Sequence, residues 1–514
     1  MRRIARLIVV AAALTALLGV IGGGSATASH QTGASGNPFT PRAGAIGGIV
    51  PSRALGLGTP SGESDPPDQC PFGCGGGNLL FHVGGSVMHT NKTYTIFWQP
   101  SGWSYPAGYM TKINQYLIDL AHDSGARSNV YATDPQYTDA GGSAQYNSTF
   151  GGTTVATNAF PASGCTDTVP STTVCLKDSQ LRTEINNVVI AKGWPRGLGV
   201  EFFLFTPQNV GSAFDDLSAH AYTDYCAYHS YFGSGASTTI YANQPWTKGV
   251  SWNSNPANRA CELYTADYPN GASTGADPTI SVVSHEHNES ITDPKLNAWY
   301  DSAGYENGDK CAWTYGAKSG AAGSRYNQLI NGRHYLTQVE WNNSASNCVQ
   351  KMPALAPTIT GFTPGSGKTR TLITINGTHL EQAALKMGLS PMFVADNRAT
   401  QIKAYAWDWN TSGKIRVTNA GGTTLSLGTF IVSFGVSSFS PSSGPFGTSV
   451  VIHGSGFNAS SVVKFNGSTA SRTVNSSTQI TAIVPLFAST GKISVTNTSG
   501  VLGTVYSWGT FTKT

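Results

Sequence analysis

Large apolar residues recur at helical spacing in two stretches of the chain. Between 109 and 121, Tyr109, Met110, Ile113, Tyr116, Leu117 and Leu120 follow a 3.6-residue period that stops before Gly125. Over 179–192, Leu181, Ile185, Val188 and Val189 line one side, with Gly193 and Pro195 beyond the end. Three runs rich in aromatic and β-branched residues read as strands: LLFHV at 79–83, YTIFW at 94–98 and VEFFLFT at 200–206. Strands alternating with helices predict an α+β domain over 70–350.

A third predicted helix is polar. Asp277-Pro278 reads as an N-cap and first-turn pair and Asp293-Pro294 as a stop, which gives a helix of about four turns. Beyond about Pro353 the pattern changes to short Thr-, Val- and Ile-rich strands separated by Gly, Asn and Ser, and it repeats. ITGFTPGSG at 359–367 returns as VSSFSPSSG at 436–444, and GKIRVTN at 413–419 returns as GKISVTN at 491–497. Two all-β sandwiches are expected, over 356–433 and 434–514.

The N-terminus differs again. Arg2, Arg3 and Arg6, an apolar stretch from Leu7 to Val20, and Ala26-Thr27-Ala28 read as a signal peptide over 1–28. Residues 29–69 are rich in Gly, Ser, Ala and Pro and are expected to form a disordered leader or propeptide. The three arginines of the signal hold three of the four formal positive charges, so the remainder is near neutral. That balance, with no basic run, excludes nucleic acid as an expected partner, and no other stretch is long and apolar enough to span a bilayer.

Eight cysteines in an exported chain favour disulfides. Nearest neighbours would pair Cys70 with Cys74, Cys165 with Cys175, Cys226 with Cys261 and Cys311 with Cys348, although spacing alone leaves connectivity open.

The chemistry concentrates in the polar helix. His285-Glu286-His287-Asn288-Glu289 is an H-E-x-x-E pattern, and its composition-based chance frequency is roughly 0.03 per chain. His285 and Glu289 lie one turn apart on one face, the spacing at which an imidazole and a carboxylate can hold zinc at about 2.0 to 2.2 Å. Glu286 occupies the general-base position of H-E-x-x-H enzymes. The competing reading is an exposed polar helix face. Asp309 or Glu306 would be the third ligand, with the choice open; Asp293 and Asp301 read as cap and turn residues, and His287 as structural or solvated. His229, three residues from Cys226, is either a packing residue or a participant at the metal site.

Two resemblances refine this picture. The β-repeats resemble IPT/TIG domains in their Phe-x-Pro-x-x-Gly openings, the turn from Ile452 to Phe457, the KFNG strand at 464–467 and the Gly-Lys-Ile-x-Val strands. The likeness implies an immunoglobulin-like fold and a binding or spacer role. The cysteine-bearing domain resembles the Exordium/phosphate-induced proteins and their metallopeptidase-like relatives. That likeness rests on Gly84-Gly85-x-Val87-Met88, Cys226-x-x-His229, His285-Glu286-x-x-Glu289, Asn297-Ala298-Trp299-Tyr300 and Glu306-x-Gly308-Asp309-x-Cys311. It implies a zincin-like domain.

The resulting expectation is a secreted zinc-dependent hydrolase, most simply a metallopeptidase, acting on extracellular protein or polysaccharide. Glu286 would be its base, and His229 or Tyr300 a donor to the oxyanion. The alternative is a non-catalytic extracellular or cell-surface protein that binds carbohydrate or protein, with Trp103, Trp246 and Trp252 as candidate stacking residues. Glycoside hydrolysis needs a facing carboxylate pair that nothing in the sequence singles out.

Overall fold

A computed structural model describes residues 47–55, 77–167, 169–262, 268–270, 274–407 and 409–514. The signal peptide, most of the leader, and Cys70 and Cys74 lie outside the described residues. No helix among those described is long and apolar enough to cross a membrane.

The cysteine-bearing domain is built on a six-stranded mixed sheet. Its strands are β1 (Gly47–Pro51), β3 (Asn91–Trp98), β4 (Ser148–Ala156), β5 (Val200–Phe205), β6 (Tyr225–Phe232) and β7 (Thr239–Gln244). A short β2 (Leu80–Phe81) pairs with β8 (Trp299–Tyr300) in a separate ribbon. The spatial order in the main sheet is β1-β6-β7-β5-β3-β4. Strands β4, β3, β5 and β7 run parallel, while β6 is antiparallel to β7, and β1 to β6. The parallel quartet follows from the alternation of strands with helices, because a parallel neighbour needs a long crossover. Helix α1 (Tyr109–His122) supplies one crossover and α2 (Asp178–Lys192) the next. The domain is thus more interleaved than an α+β class implies.

The periodicities are used as expected: Ile113, Tyr116, Leu117 and Leu120 of α1, and Leu181, Ile185, Val188 and Val189 of α2, are buried. The leader expectation needs correction at 47–55. Gly-Gly-Ile-Val-Pro has too little apolar surface to order itself, but pairing along β6 satisfies its main chain and buries Ile49 and Val50.

Disulfides join Cys165 to Cys175, Cys226 to Cys261 and Cys311 to Cys348. C-terminal to this domain stand two β-sandwiches of identical topology. In the first, a four-stranded sheet runs Thr358–Thr363, Leu372–Thr378, Gln401–Tyr405, Phe393–Asn397, facing five strands. In the second the equivalent order is Gly435–Ser440, Ser449–Ser455, Gln479–Ile483, Ser471–Ser476. Each buries its own core, around Ile373, Ile375 and Ile402 in one and Val450, Ile452 and Ile480 in the other.

Candidate metal centre

Helix α3 (Ala276–Thr292) carries the H-E-x-x-E motif and is buried along its whole length, which rules out the exposed polar face. Its N-cap is Gly275, not Asp277. Gly275 sits at φ 73°, and a Cβ there would come within 2.6 Å of Trp246, so both backbone and packing demand glycine. Asp277 lies in the first turn and accepts from Asn270. Helix α3 packs against α1, β1, β6 and β7, which brings His285, Glu286 and Glu289 beneath the antiparallel end of the sheet.

There His285 Nε2 lies 2.9 Å from Glu289 Oε1 and 3.8 Å from Asp309 Oδ1. His285, Glu289 and Asp309 each place a ligand atom within 4.8 Å of the other two, and so do His229, Glu289 and Glu306. Asp309 is carried by a 3-10 turn, Asp309–Cys311, tied down by the Cys311–Cys348 disulfide. Its amide donates to Glu289 Oε1 at 2.9 Å, and its carboxylate accepts from the Glu306 amide at 3.1 Å. The two third-ligand candidates fall in different trios that share Glu289. Asp309 faces His285, whereas Glu306 faces His229, with Oε1 3.8 Å from its Nε2.

His229 is drawn into the cluster from β6. Its Nε2 donates to the Asp293 carbonyl at 3.2 Å, and Nδ1 lies 3.2 Å from Glu286 Oε2 and 3.6 Å from Glu289 Oε2. Both nitrogens are thus committed to orienting neighbours, so His229 positions Glu286. The other oxygen of Glu286 accepts the Val50 amide of β1 at 3.0 Å. Tyr300 is not among the gathered side chains. The β2–β8 pairing stacks its ring on His82 with centroids 3.5 Å apart. Asp293 caps α3 and accepts the amides of Asn297 and Ala298, while Asp301 accepts those of Ala303 and Tyr305.

Burial raises the Glu286 carboxyl to about 7 against the pull of His229, and burial beside Glu289 raises Asp309 to about 7. Burial acts upward on Glu289 too, but the charges of His285 and His229 win and hold it down at about 2. Desolvation opposes protonation of His285, yet Glu289 and Asp309 outweigh it and hold its pKa well above the ordinary range. His287 points elsewhere, 3.1 Å from the Tyr131 hydroxyl, and burial lowers it to about 3, so it is a neutral interior residue.

The donor set fits a divalent ion. His285 Nε2 makes no hydrogen bond despite its 2.9 Å approach to Glu289, and Glu289 Oε2 and both Glu306 oxygens also lack partners, all inaccessible to water. Unpaired buried acceptors of this kind are costly unless something cationic satisfies them.

Sequence reasoning missed two contributors, Glu340 and Glu201, and the close approach of a third, Gly308. Glu340 is buried with both oxygens unpartnered, close enough to His285 to feel its charge. Glu201 holds Ser290 of α3 at 2.8 Å. Gly308 lies against the cluster, where a Cβ would meet His285 Cδ2 at 2.8 Å and Glu289 Oε1 at 2.9 Å. Their only signal is a charged residue or glycine inside an apolar or turn context. Gly308→Ala is expected to lower zinc affinity by about 10- to 100-fold while the domain stays folded, as read by competition with a chromogenic chelator; unchanged affinity would mean the cluster does not converge on an ion.

Residues 435–512 match the IPT/TIG domain family. Two curated relatives from Arabidopsis thaliana are similar to part of the chain. Protein EXORDIUM-like 5 is 35% identical over 97 residues, covering 16% of this chain and 26% of its own length. Protein EXORDIUM-like 3 is 38% identical over 96 residues, covering 16% and 28%. The chain thus spans about a quarter of the length of these relatives. Among solved structures, a surface glycan-binding protein from Prevotella bryantii is 17% identical, with 31% of this chain and 43% of that one covered at a TM-score of 0.17, an overlap too slight to transfer a function. The comparisons therefore identify the last β-sandwich as an IPT/TIG domain and leave the helix-borne cluster to be understood from its own geometry.

Proposed function

We propose that this is an extracellular protein whose disulfide-bearing domain is a zincin-like, zinc-dependent hydrolase of polypeptides and whose β-sandwiches attach it to a surface. One observation supports the hydrolytic half above the rest: His285 Nε2, Glu289 Oε1 and Asp309 Oδ1 converge in the interior with the Glu286 carboxyl beside them. A zinc ion bound by those three residues would supply Lewis acidity and acidify a water molecule. Glu286, with its pKa raised to about 7, is suited to take a proton near neutral pH and return it to a leaving amine. His229 holds that carboxyl in place from the side away from Val50.

The attachment half rests on a different feature. Trp246 is buried in the domain core, and Trp103 and Trp252 pack against it partly buried. On the first sandwich, however, Phe393, Trp407 and Trp409 form a row with successive centroids 5.3 and 6.0 Å apart, and Phe393 and Trp409 are about half exposed. Arg370 lies 5.2 Å over Trp407. Such a row suits stacking on sugar rings. It also carries a second reading, in which the protein only binds and the metal is structural.

Metal analysis of the purified full chain is expected to find one zinc per chain, removable by chelator; in whichever form of the chain turns over a denatured protein substrate, hydrolysis should be lost and regained with the metal. Trp409→Ala should weaken retention on insoluble polysaccharide and leave zinc content unchanged. Zinc and retention without hydrolysis in any form of the chain would leave the binding reading alone; no zinc after loading would remove the hydrolase.

A further inference from the structure

Strand β1 stands where a substrate chain would have to lie. It runs antiparallel along β6, pairing Gly47 with His229, Ile49 with Tyr228, Val50 with Ala227 and Pro51 with Tyr225. Without it β6 would be the open edge of the sheet, since its other neighbour is β7. The C-terminal end of the strand's polar main chain is received by the site. The Val50 amide donates to Glu286 Oε1 at 3.0 Å, and the Pro51 carbonyl accepts from Trp313 Nε1 at 2.9 Å. The chain then continues with the Ser52 amide on the Asp224 carbonyl at 3.0 Å and the Arg53 amide on the Ala260 carbonyl at 3.1 Å. Ile49 and Val50 are almost fully enclosed, and so are His229, His285, Glu286 and Glu289 beneath them.

In this state a peptide amide already lies on the candidate base, where a substrate's main chain would have to approach. Strand addition to an exposed edge is also a general way of recognising an extended peptide: main-chain bonds supply affinity and pockets for alternate side chains supply selectivity.

We infer that β1 is an internal pseudosubstrate. The groove between β6, Trp313 and Glu286 takes an extended polypeptide, and the protein is latent while residues 47–51 fill it. The groove's selectivity is written in its occupant: a glycine opposite His229, then two β-branched aliphatics ahead of a proline. The hydrolytic consequence rests on the function proposed above; the peptide-binding groove does not. Because the occupant is tethered, a free peptide must compete against a high local concentration, and the apparent affinity of the intact chain is reduced by the small fraction of time the groove is open.

The test uses the full chain with Ile49→Asp and Val50→Asp together, which puts two carboxylates at positions that are almost fully enclosed. The probe is a fluorescently labelled peptide of residues 45–53 (AIGGIVPSR), with a scrambled peptide as control. Anisotropy should show the variant binding the native-sequence peptide more tightly than the unmodified chain by about tenfold or more. Equal binding by both forms, or equal binding of the scrambled peptide, overturns the inference.

If the variant does not fold, hydrogen exchange on the unmodified chain decides. Amides of 47–51 should exchange by local opening, about 100-fold faster than those of α3. Exchange only through global unfolding means β1 is a permanent strand. Hydrolysis is read separately: peptide binding without hydrolysis keeps the groove and removes the enzyme, whereas equal hydrolysis by both forms without peptide binding does the reverse.

Discussion

Replacing Glu286 by Gln should reduce hydrolysis of a denatured protein by about 10²- to 10⁴-fold and leave bound zinc unchanged. The two halves of that result come from different atoms. Glu286 contributes neither of its oxygens to the converging trio, because one faces His229 Nδ1 and the other accepts the Val50 amide. Glutamine can still accept from Val50 and keeps the shape of the side chain, but it cannot take a proton. The comparison belongs in whichever form of the full chain turns over substrate. Loss of zinc with the carboxylate would place Glu286 among the ligands, and undiminished turnover would place the base elsewhere.

The second large effect concerns stability. Lys310 is about 1% exposed, with Nζ 2.6 Å from Asp301 Oδ2 and 4.5 Å from the centroid of the Trp341 ring. Removing one partner of such a pair leaves an uncompensated charge in the interior, at a cost of about 3 to 5 kcal/mol. Two amides, from Ala303 and Tyr305, also hold the Asp301 carboxylate, so Lys310→Met is expected near the lower end. Pairing Lys310→Met with Asp301→Asn should recover most of the loss, since the pair's own net contribution is small. Calorimetry on the full chain reads this directly, with the β-sandwich transitions as internal reference. A single variant as stable as the parent would mean that Asp301 is satisfied without the ammonium group. Lys310 follows Asp309 directly, so the single variant should also weaken zinc binding.

Local patterning carried much of the fold. The apolar spacing in α1 and α2 marks the faces that are buried, and the repeat is realised as two sandwiches with the same strand order. The motif residues His285, Glu286 and Glu289 were legible because one helical turn fixes their relation, and Asp309 and Glu306 because a nearby turn returns them. What stayed hidden depends on partners remote in sequence. Nothing about Gly-Gly-Ile-Val-Pro announces a strand until β6 is beside it, and a helix as polar as α3 leaves an exposed face open as a competing reading until partners such as Tyr131 and Glu201 are seen against it. The Gly275 cap was missed for the same reason, since the ring that forbids a side chain there belongs to Trp246. The surroundings of Tyr300 were hidden in the same way, since its pairing partner lies more than 200 residues earlier.

Strand β1 also has a bearing on how the molecule survives its own synthesis. An unpaired, tyrosine-rich edge such as β6 offers its free amides and carbonyls to any neighbouring chain, the usual opening for intermolecular sheet growth. A cap that arrives before the rest of the domain, and is covalently part of it, closes that edge at the earliest moment. Forms lacking residues 47–51 are therefore better obtained by releasing the segment from folded protein than by expressing a shortened chain, which would have to fold with its sheet exposed.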